Sequence, residues 1–234
     1  MRILILIILF LFSCNAFSQT ARDWCNRGDI KGRLEDYGGA IADYNKAIEV
    51  SPNDTAAYTK RGFAKYCLGN YRSAIVDLNR AIECKPNNAV AYHARSMSRF
   101  QLEDYRGAIA DFNKVLELDP KNTLANFVRG VAKDKLKDYR GAVADYSKAV
   151  EINPNNAAAY FSRGVAKDKL KDYRGAIADY TIAIQFEHNV ALLYSARGHA
   201  KYSLGDKNGA CLDFSKSGEL GYGNAYDLIE KYCN

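Results

Sequence analysis

Large apolar, small and polar residues recur along this chain with a period of 34 residues. From residue 21 to residue 224 the pattern repeats six times without insertion or gap. A fixed period of this length is typical of repeat proteins, in which each unit buries its apolar face against its neighbours. The six segments are residues 21–54, 55–88, 89–122, 123–156, 157–190 and 191–224.

Each segment carries large residues at positions 4, 17 and 24 and small residues at positions 8, 20 and 27, counted from its first residue. Small residues let two helix backbones approach while neighbouring rings fill the space beside them, so the pattern predicts two packed helices per segment. The four prolines of the chain lie 34 residues apart and mark the turn after the second helix. They are Pro52, Pro86, Pro120 and Pro154.

The order of these positions resembles the pattern of the tetratricopeptide repeat family, in six copies that are in register with one another. The resemblance implies an all-α fold, an α-solenoid in which antiparallel helix pairs stack as a right-handed superhelix with a concave and a convex face. The chain departs from the pattern near its end, with His188 in place of a proline and Lys207, Ser217 and Gly218 at packing positions. We interpret the sixth repeat as a terminal unit, followed by a capping helix at about residues 225–233 that covers the last apolar face.

The resemblance also implies where a partner binds. In this family the concave groove is lined by the first helix of each repeat, chiefly at positions 2, 5, 9, 12 and 13, which here form an aromatic-rich apolar stripe with a charged margin in repeats four and five. An exposed stripe of this kind usually marks a contact site. The alternative is that neighbouring first helices bury these rings against one another. The candidate groove residues are Phe63, Tyr66, His93, Met97, Phe100, Phe127, Val131, Phe161, Val165, His199 and Tyr202.

Some members of the family hold a C-terminal carboxylate through lysine, asparagine and arginine side chains in this groove. The corresponding positions here are Cys25, Asp29, Lys60, Val90 and Ala94, so this carboxylate clamp is missing. Recognition of chaperone tails is therefore disfavoured, and we expect an extended or helical peptide that is held mostly by apolar contacts.

Arginine occupies position 7 and aspartate occupies position 23 in all six repeats. Equal numbers of opposite charges beside the helix–helix contact favour pairing within the protein, between the helices of one repeat or between neighbouring repeats. The alternative is a surface track that binds a polyanion. The arginines are Arg27, Arg61, Arg95, Arg129, Arg163 and Arg197, and the aspartates are Asp43, Asp77, Asp111, Asp145, Asp179 and Asp213.

The first 18 residues have the layout of a secretory signal peptide. A positive start at Arg2 precedes an unbroken apolar run at residues 3–12, and small and polar residues follow. Residues 16–18 fit a cleavage site, and cleavage there predicts an exported protein that is periplasmic or secreted. Alternatively, residues 11–14 resemble a bacterial lipobox, which would place a lipid on Cys14 and anchor the protein to a membrane.

Composition narrows the function further. The chain of 234 residues is 48% apolar and 26% charged, with a net charge of +6, which excludes a disordered tail, a collagen-like fibre and a multi-spanning membrane protein. Its cations are interleaved with acids, so we do not expect nucleic acid as a partner. It contains no glycine-rich phosphate loop, zinc-ligand spacing or nucleophile elbow, so we expect no catalytic residue, no metal and no cofactor.

The cysteines suit an oxidising compartment, although five of them, an odd number, follow residue 18. Cys211 and Cys233 lie at similar distances on either side of the turn near residue 223. On adjacent antiparallel helices they would sit at nearly the same height, where a disulfide is feasible and would pin the capping helix. The alternative is a pair of small buried thiols.

Together these features predict a signal peptide at residues 1–18 and one tetratricopeptide solenoid at residues 19–234. We expect a non-enzymatic scaffold for protein–protein interaction, whose partner is a protein or a peptide. A membrane is involved only if Cys14 carries a lipid. The alternative is a bacterial outer-membrane or pilus assembly lipoprotein that is anchored through Cys14.

Overall fold

The computed structural model describes residues 19–233, and this range contains thirteen α-helices and no strand. The predicted signal peptide and Cys14 lie outside the described residues. Each repeat supplies two helices, and a thirteenth helix follows the sixth repeat. The helices are α1 (Ala21–Arg33), α2 (Tyr37–Val50), α3 (Thr55–Cys67), α4 (Tyr71–Cys84), α5 (Ala89–Gln101), α6 (Tyr105–Leu118), α7 (Thr123–Lys135), α8 (Tyr139–Ile152), α9 (Ala157–Lys169), α10 (Tyr173–Phe186), α11 (Ala191–Leu204), α12 (Lys207–Glu219) and α13 (Ala225–Cys233).

The chain forms two compact units that divide between Ser98 and Arg99. In the first unit, α1 packs against α2, α2 against α3, and α3 against α4. In the second unit, each helix from α6 to α13 packs against the next one along the chain. Each unit is therefore an α-solenoid of paired helices, which confirms the predicted fold class, and α13 extends the second unit beyond the sixth repeat.

The two helices of a repeat approach most closely at position 8. A Cβ atom added to Gly164 would lie 2.7 Å from Cε1 of Tyr180, and one added to Gly198 would lie 2.7 Å from Cε1 of Phe214. Non-bonded carbon atoms do not approach this closely, so in these two repeats the ring at position 24 fits only against a residue without a side chain. Repeat three has the small residue Ser96 at position 8 instead. The alanines at position 20 have no exposed surface in any repeat, in agreement with the predicted close packing.

Side chains in the turns determine where the helices begin. Asp138 and Asp172 accept a hydrogen bond from the backbone N–H three residues later, at the start of α8 and α10. Asn122 and Asn156 do the same for α7 and α9. Each cap satisfies one N–H that has no partner within its helix, and is worth about 1 kcal/mol.

The aspartate at position 23 is buried between the two helices of its repeat, where it binds the arginine at position 7. Arg163 donates to both carboxylate oxygens of Asp179, with Nε–Oδ2 at 2.9 Å and Nη2–Oδ1 at 2.6 Å. Asp179 is only 2% exposed, so these hydrogen bonds replace water around its charge. The same two-point contact joins Arg27 to Asp43, Arg61 to Asp77, Arg129 to Asp145, and Arg197 to Asp213.

A second cation at position 11 completes the environment of the aspartate. Nζ of Lys167 lies 2.8 Å from Oδ2 of Asp179, one helical turn after Arg163. The charge pattern of positions 7 and 23 alone did not reveal this residue. The equivalent cations are Lys31, Lys65, Arg99, Lys133 and Lys201, which lie 2.8 to 2.9 Å from the aspartate of their own repeat.

The arginine also reaches the repeat before its own. Nη1 of Arg163 lies 3.2 Å from the hydroxyl oxygen of Ser147, and its guanidinium lies 5.3 Å from the ring centroid of Tyr160. One side chain therefore holds its own helix pair together and joins that pair to the preceding one. The other acceptors of this kind are Asn45, Asn79, Asn113 and Thr181, which bind Arg61, Arg95, Arg129 and Arg197.

We expect Asp145→Ala to lower the free energy of unfolding by about 3 kcal/mol, because Arg129 and Lys133 would then face each other without a counter-charge. Urea denaturation followed by circular dichroism measures the effect. Glu151→Ala is the matched control, since Glu151 forms an exposed pair with Lys148 that is worth at most about 0.5 kcal/mol. If Asp145→Ala unfolds at the urea midpoint of the parent protein, the buried pairs do not stabilise the repeats.

Candidate functional site

The groove positions of the first unit carry two adjacent rings that remain accessible. Phe63 is 49% exposed, and its ring centroid lies 6.2 Å from that of Tyr66. Tyr66 in turn lies 5.6 Å from Tyr71 of α4. His93 and Met97 on α5 are half-buried, and burial lowers the pKa of His93. Phe63 is therefore the most accessible of the candidate groove residues in this unit.

A pocket of about 380 Å³ opens beside Phe63. Residues of α1, α2 and α3 line it together with the start of α5. Much of its wall is aromatic or aliphatic, and Val90 at its edge is 64% exposed. The lining includes Arg33, Tyr37, Tyr44, Lys60, Phe63 and Val90.

Three charged residues line this pocket. Nζ of Lys60 lies 2.6 Å from Oδ2 of Asp29, and the hydroxyl of Tyr44 donates to Oδ1 of Asp29 at 2.9 Å. Burial and this hydrogen bond raise the pKa of Tyr44. Arg33 is exposed at the rim. The Asp29 carboxylate is thus already paired with groups of the protein itself, while the side chain of Arg33 faces solvent.

A second pocket, of about 360 Å³, adjoins the first and shares Thr59, Lys60 and Val90 with it. Lys85, at the end of α4, lines the second pocket. The two pockets therefore form one recessed surface on both sides of Lys60. This recessed surface is apolar, with a cationic rim.

In the second unit, the phenylalanines of repeats four and five are half-buried. Phe127 lies 5.7 Å from the ring of Tyr146, and Phe161 lies 5.8 Å from the ring of Tyr180. Phe127 also packs against the cluster that contains Ala166 of the following repeat. Both interpretations of the stripe are therefore met in part, because these rings join neighbouring helices and still keep some exposed surface.

Three further candidates of this unit, Phe100, Val131 and Val165, are also half-buried. Phe100 meets the ring of Tyr105 edge-on at 5.4 Å. Val131 and Val165 pack against the clusters around Tyr146 and Tyr180. The apolar stripe of repeats four and five is thus held in place by the ring at position 24 of each repeat.

Two carboxylates accompany this stripe at position 12. Asp134 and Asp168 are half-buried, and among the described residues neither side chain makes a hydrogen bond or an ion pair. Burial raises the pKa of both carboxyl groups. Nearby charges oppose this effect, namely Lys135 and Lys169 at Asp134, and Lys169 and His199 at Asp168.

In repeat six, the chain itself covers the groove positions. The ring of Tyr232 in α13 lies 5.7 Å from His199, 4.5 Å from Tyr202 and 5.8 Å from Phe214. Ser195 stands where repeats four and five have phenylalanine, and it is buried. Tyr232 thus supplies the ring that this repeat lacks, so His199 and Tyr202 are occupied by an internal contact.

A disulfide between Cys211 and Cys233 joins α12 to α13, with 5.8 Å between the two Cα atoms. It lies next to Tyr232 in the sequence and therefore holds this ring close to α11. Cys25, Cys67 and Cys84 have free thiols, of which Cys25 is buried. Burial also raises the pKa of the Cys25 thiol.

Sequence reasoning missed several residues of these surfaces. Tyr232 lies outside the 34-residue pattern, so no equivalent residue pointed to it. Arg33 occupies position 13 of repeat one, and the rule that selected the other groove residues could have found it. Tyr37 was assigned to packing alone, although it also lines the pocket beside Phe63.

The side chains on these surfaces are suited to binding a partner segment. Within residues 19–233, no three His, Cys, Asp or Glu side chains are grouped closely enough to hold a metal ion. None of the helices in the same range has the length and apolar character that a bilayer crossing requires. Rings, aliphatic side chains and a few charges together can bury and orient a peptide segment.

Family models match three parts of the chain. The model described as "TPR repeat" matches residues 28–69 and 135–170, and the model described as "Tetratricopeptide repeat" matches residues 89–122. No curated protein sequence gives a significant match to this chain.

Solved structures of several repeat proteins are similar to this one. MamA is 24% identical, with a TM-score of 0.68 over 72% of this chain and 92% of its own. YrrB, described as a TPR protein with an unusual peptide-binding site, is 20% identical, with a TM-score of 0.74 over 80% of this chain and 97% of its own. A tetratricopeptide repeat protein from Parabacteroides merdae is 19% identical, with a TM-score of 0.64 over 92% of this chain and 99% of its own.

Paired helices at a constant spacing define the class as an α-solenoid repeat protein. Together with the matching family models and solved structures, they show that the chain belongs to the tetratricopeptide repeat family. Proteins of this family bind protein or peptide partners, and this chain is in general terms an interaction scaffold.

We expect acidification to weaken the contact between α13 and repeat six. Burial lowers the pKa of His199, although Asp168 opposes this shift and Lys231 adds to it. As the pH falls through about 6.5, the unfolded chain binds a proton more readily than the folded one, so stability present above that pH is lost. Lowering the pH from about 7.5 to about 5.5 should therefore destabilise the parent protein more than His199→Phe.

Urea denaturation at both pH values measures this difference. His188→Gln is the control, because it also removes one histidine, at an exposed position in a turn. An equal loss of stability in the parent and in His199→Phe would contradict the assignment to His199.

Proposed function

We propose that this protein binds a peptide or protein segment in the concave groove that the first helices of its repeats form. The observation that carries the proposal is the pocket of about 380 Å³ beside Phe63 in the first unit. A ring that is half exposed beside such a recess is a feature of binding surfaces, since enclosing it removes apolar area from water.

The energetics of the pocket favour an apolar side chain as the anchor. Phe63 and Val90 offer exposed apolar surface on two of its sides. Burying one apolar side chain of a partner contributes about 1.5 to 3 kcal/mol. The ion pair of Lys60 with Asp29 and the guanidinium of Arg33 would orient the polar backbone of the same segment.

The proposal includes no catalytic step. Tetratricopeptide repeat proteins act in general as scaffolds, and we infer the same for this chain. YrrB, which is described as a TPR protein with an unusual peptide-binding site, shares the fold and supports this inference.

We further propose that the protein is exported and acts outside the cytoplasm. The apolar run at residues 3–12 and the small residues Ala16 and Ser18 support cleavage by signal peptidase before Gln19. The second candidate is a bacterial outer-membrane or pilus assembly lipoprotein, which the lipobox-like residues 11–14 support. Mass spectrometry of the mature N-terminus separates the two, since the first predicts a chain that begins at Gln19 and the second predicts a lipid on Cys14.

We expect the double variant Phe63→Ala, Val90→Ser to lose most peptide binding, because the anchor pocket would lose its apolar walls. A peptide display library, selected on the mature parent chain, provides the ligands. The affinity of the selected peptides should fall by about tenfold or more, which corresponds to the loss of one buried side chain.

Val76→Ser is the matched control, since Val76 is 66% exposed on α4 and is not part of the pocket lining. Thermal unfolding confirms that each variant is folded. If every selected peptide bound the double variant as tightly as the parent, the pocket beside Phe63 would not be a binding site.

A further inference from the structure

We propose that the stripe on the first helices of repeats four and five binds a partner segment that combines apolar or aromatic residues with basic side chains. In this arrangement Asp134 and Asp168 each receive one cation of the partner. The inference rests on the proposed function and specifies the chemistry of the bound segment.

Asp134 and Asp168 differ from the other acidic residues of the first helices. The first helices carry only four acidic residues within the described part of the chain: Asp23, Asp29, Asp134 and Asp168. Asp23 bonds to the helix cap at Thr20, and Asp29 bonds to Lys60 and Tyr44. Asp134 and Asp168 have no such partner among the described residues, although both are half-buried.

A partly dehydrated carboxylate without a partner is unfavourable, and a cation that approaches it relieves this cost. Burial raises the pKa of both carboxyl groups, which reflects the same dehydration. Lys135 and Lys169 are exposed next to them and remain beyond ion-pair distance. Neither carboxylate is thus neutralised by an ion pair among the described residues.

Both carboxylates share a helix face with apolar residues. Phe127 and Val131 precede Asp134 by seven and three residues, which places all three on one face of α7. Phe161 and Val165 stand in the same relation to Asp168 on α9. Each repeat therefore presents a ring, a branched aliphatic side chain and a carboxylate in a row.

The stripe of repeats four and five continues into a contact that the chain makes with itself. His199 and Tyr202 occupy the repeat positions of Val165 and Asp168, and Tyr232 of α13 lies against both of them. The residue before it, Lys231, has its ammonium 4.9 Å from the ring of Tyr232. An aromatic residue on a helix, with a lysine stacked on its ring, thus already covers the next repeat along the same face.

The spacing of the repeats limits the spacing of the basic residues. Packed helices lie about 8 to 10 Å apart, so successive carboxylates are separated by about that distance. This corresponds to about three residues of an extended segment or about seven residues of a helix. Opposite charge favours such a segment over an acidic one, which the same carboxylates would repel.

Selection from a random peptide display library on the mature parent chain tests the inference. We expect a class of binders with two basic residues at one of these spacings and an aromatic or aliphatic residue between them. Synthetic peptides of this class should bind Asp134→Asn, Asp168→Asn about tenfold more weakly than the parent chain, and their affinity for the parent should fall as salt increases.

The control variant Glu117→Gln, Glu151→Gln removes two acids from the second helices of the same unit, and it should bind as tightly as the parent. The asparagine variant should unfold at the same temperature as the parent or a higher one, because it removes charges that have no internal partner. A lower unfolding temperature would reveal internal partners for the two aspartates and would overturn the inference.

Selected peptides without basic residues, or peptides that the asparagine variant binds unchanged, would overturn this inference and leave the proposed function intact. A library that yields no binders would overturn both. Sedimentation measures self-association. If the parent chain self-associates and the asparagine variant does not, the occupant is a second copy of this chain instead.

Discussion

The buried aspartate between the two helices of each repeat is the constraint on which the rest of the structure depends. Asp179 has almost no contact with water, and it is stable there because Arg163 and Lys167 supply two cations and three hydrogen-bond donors. The position of the aspartate fixes where the first helix lies on the second. The remaining donor of Arg163 then fixes where this pair lies on the previous one.

This arrangement keeps the repeated Arg–Asp ion pairs on one side of the first helices. In repeats four and five the other side carries half-buried rings and carboxylates, and in repeat one it borders a pocket that contains an ion pair. The groove positions can therefore vary in chemistry from one repeat to the next while the helix pairs stay the same. A family with one fold can serve many partners for this reason.

The fold could be predicted from the sequence because its packing rules act within one period. The alanines at position 20 and the glycines at position 8 recur at fixed repeat positions, and they pack against residues of their own repeat. The contact of Arg163 with Ser147 was not predicted. The residue that accepts this hydrogen bond changes from asparagine to serine or threonine along the chain, so the repeat position does not show one conserved residue type.

The candidate site was predicted less completely, and for a physical reason. A repeat position shows on which face a side chain lies, but exposure depends on what covers that face. Phe63 remains half exposed, whereas His199 at an equivalent position lies under Tyr232. Tyr232 belongs to a helix outside the repeat, so no spacing in the sequence linked it to the groove.

The contact of each arginine with the preceding repeat has a consequence for how such a protein changes in length. Arg163 binds the hydroxyl of Ser147, and Arg197 binds the hydroxyl of Thr181. If residues 157–190 were deleted, Arg197 would meet Ser147 and find the same kind of acceptor. The contacts between neighbouring repeats are thus interchangeable. Gene duplication or loss of a whole repeat can therefore lengthen or shorten the binding surface, and no new interface has to evolve.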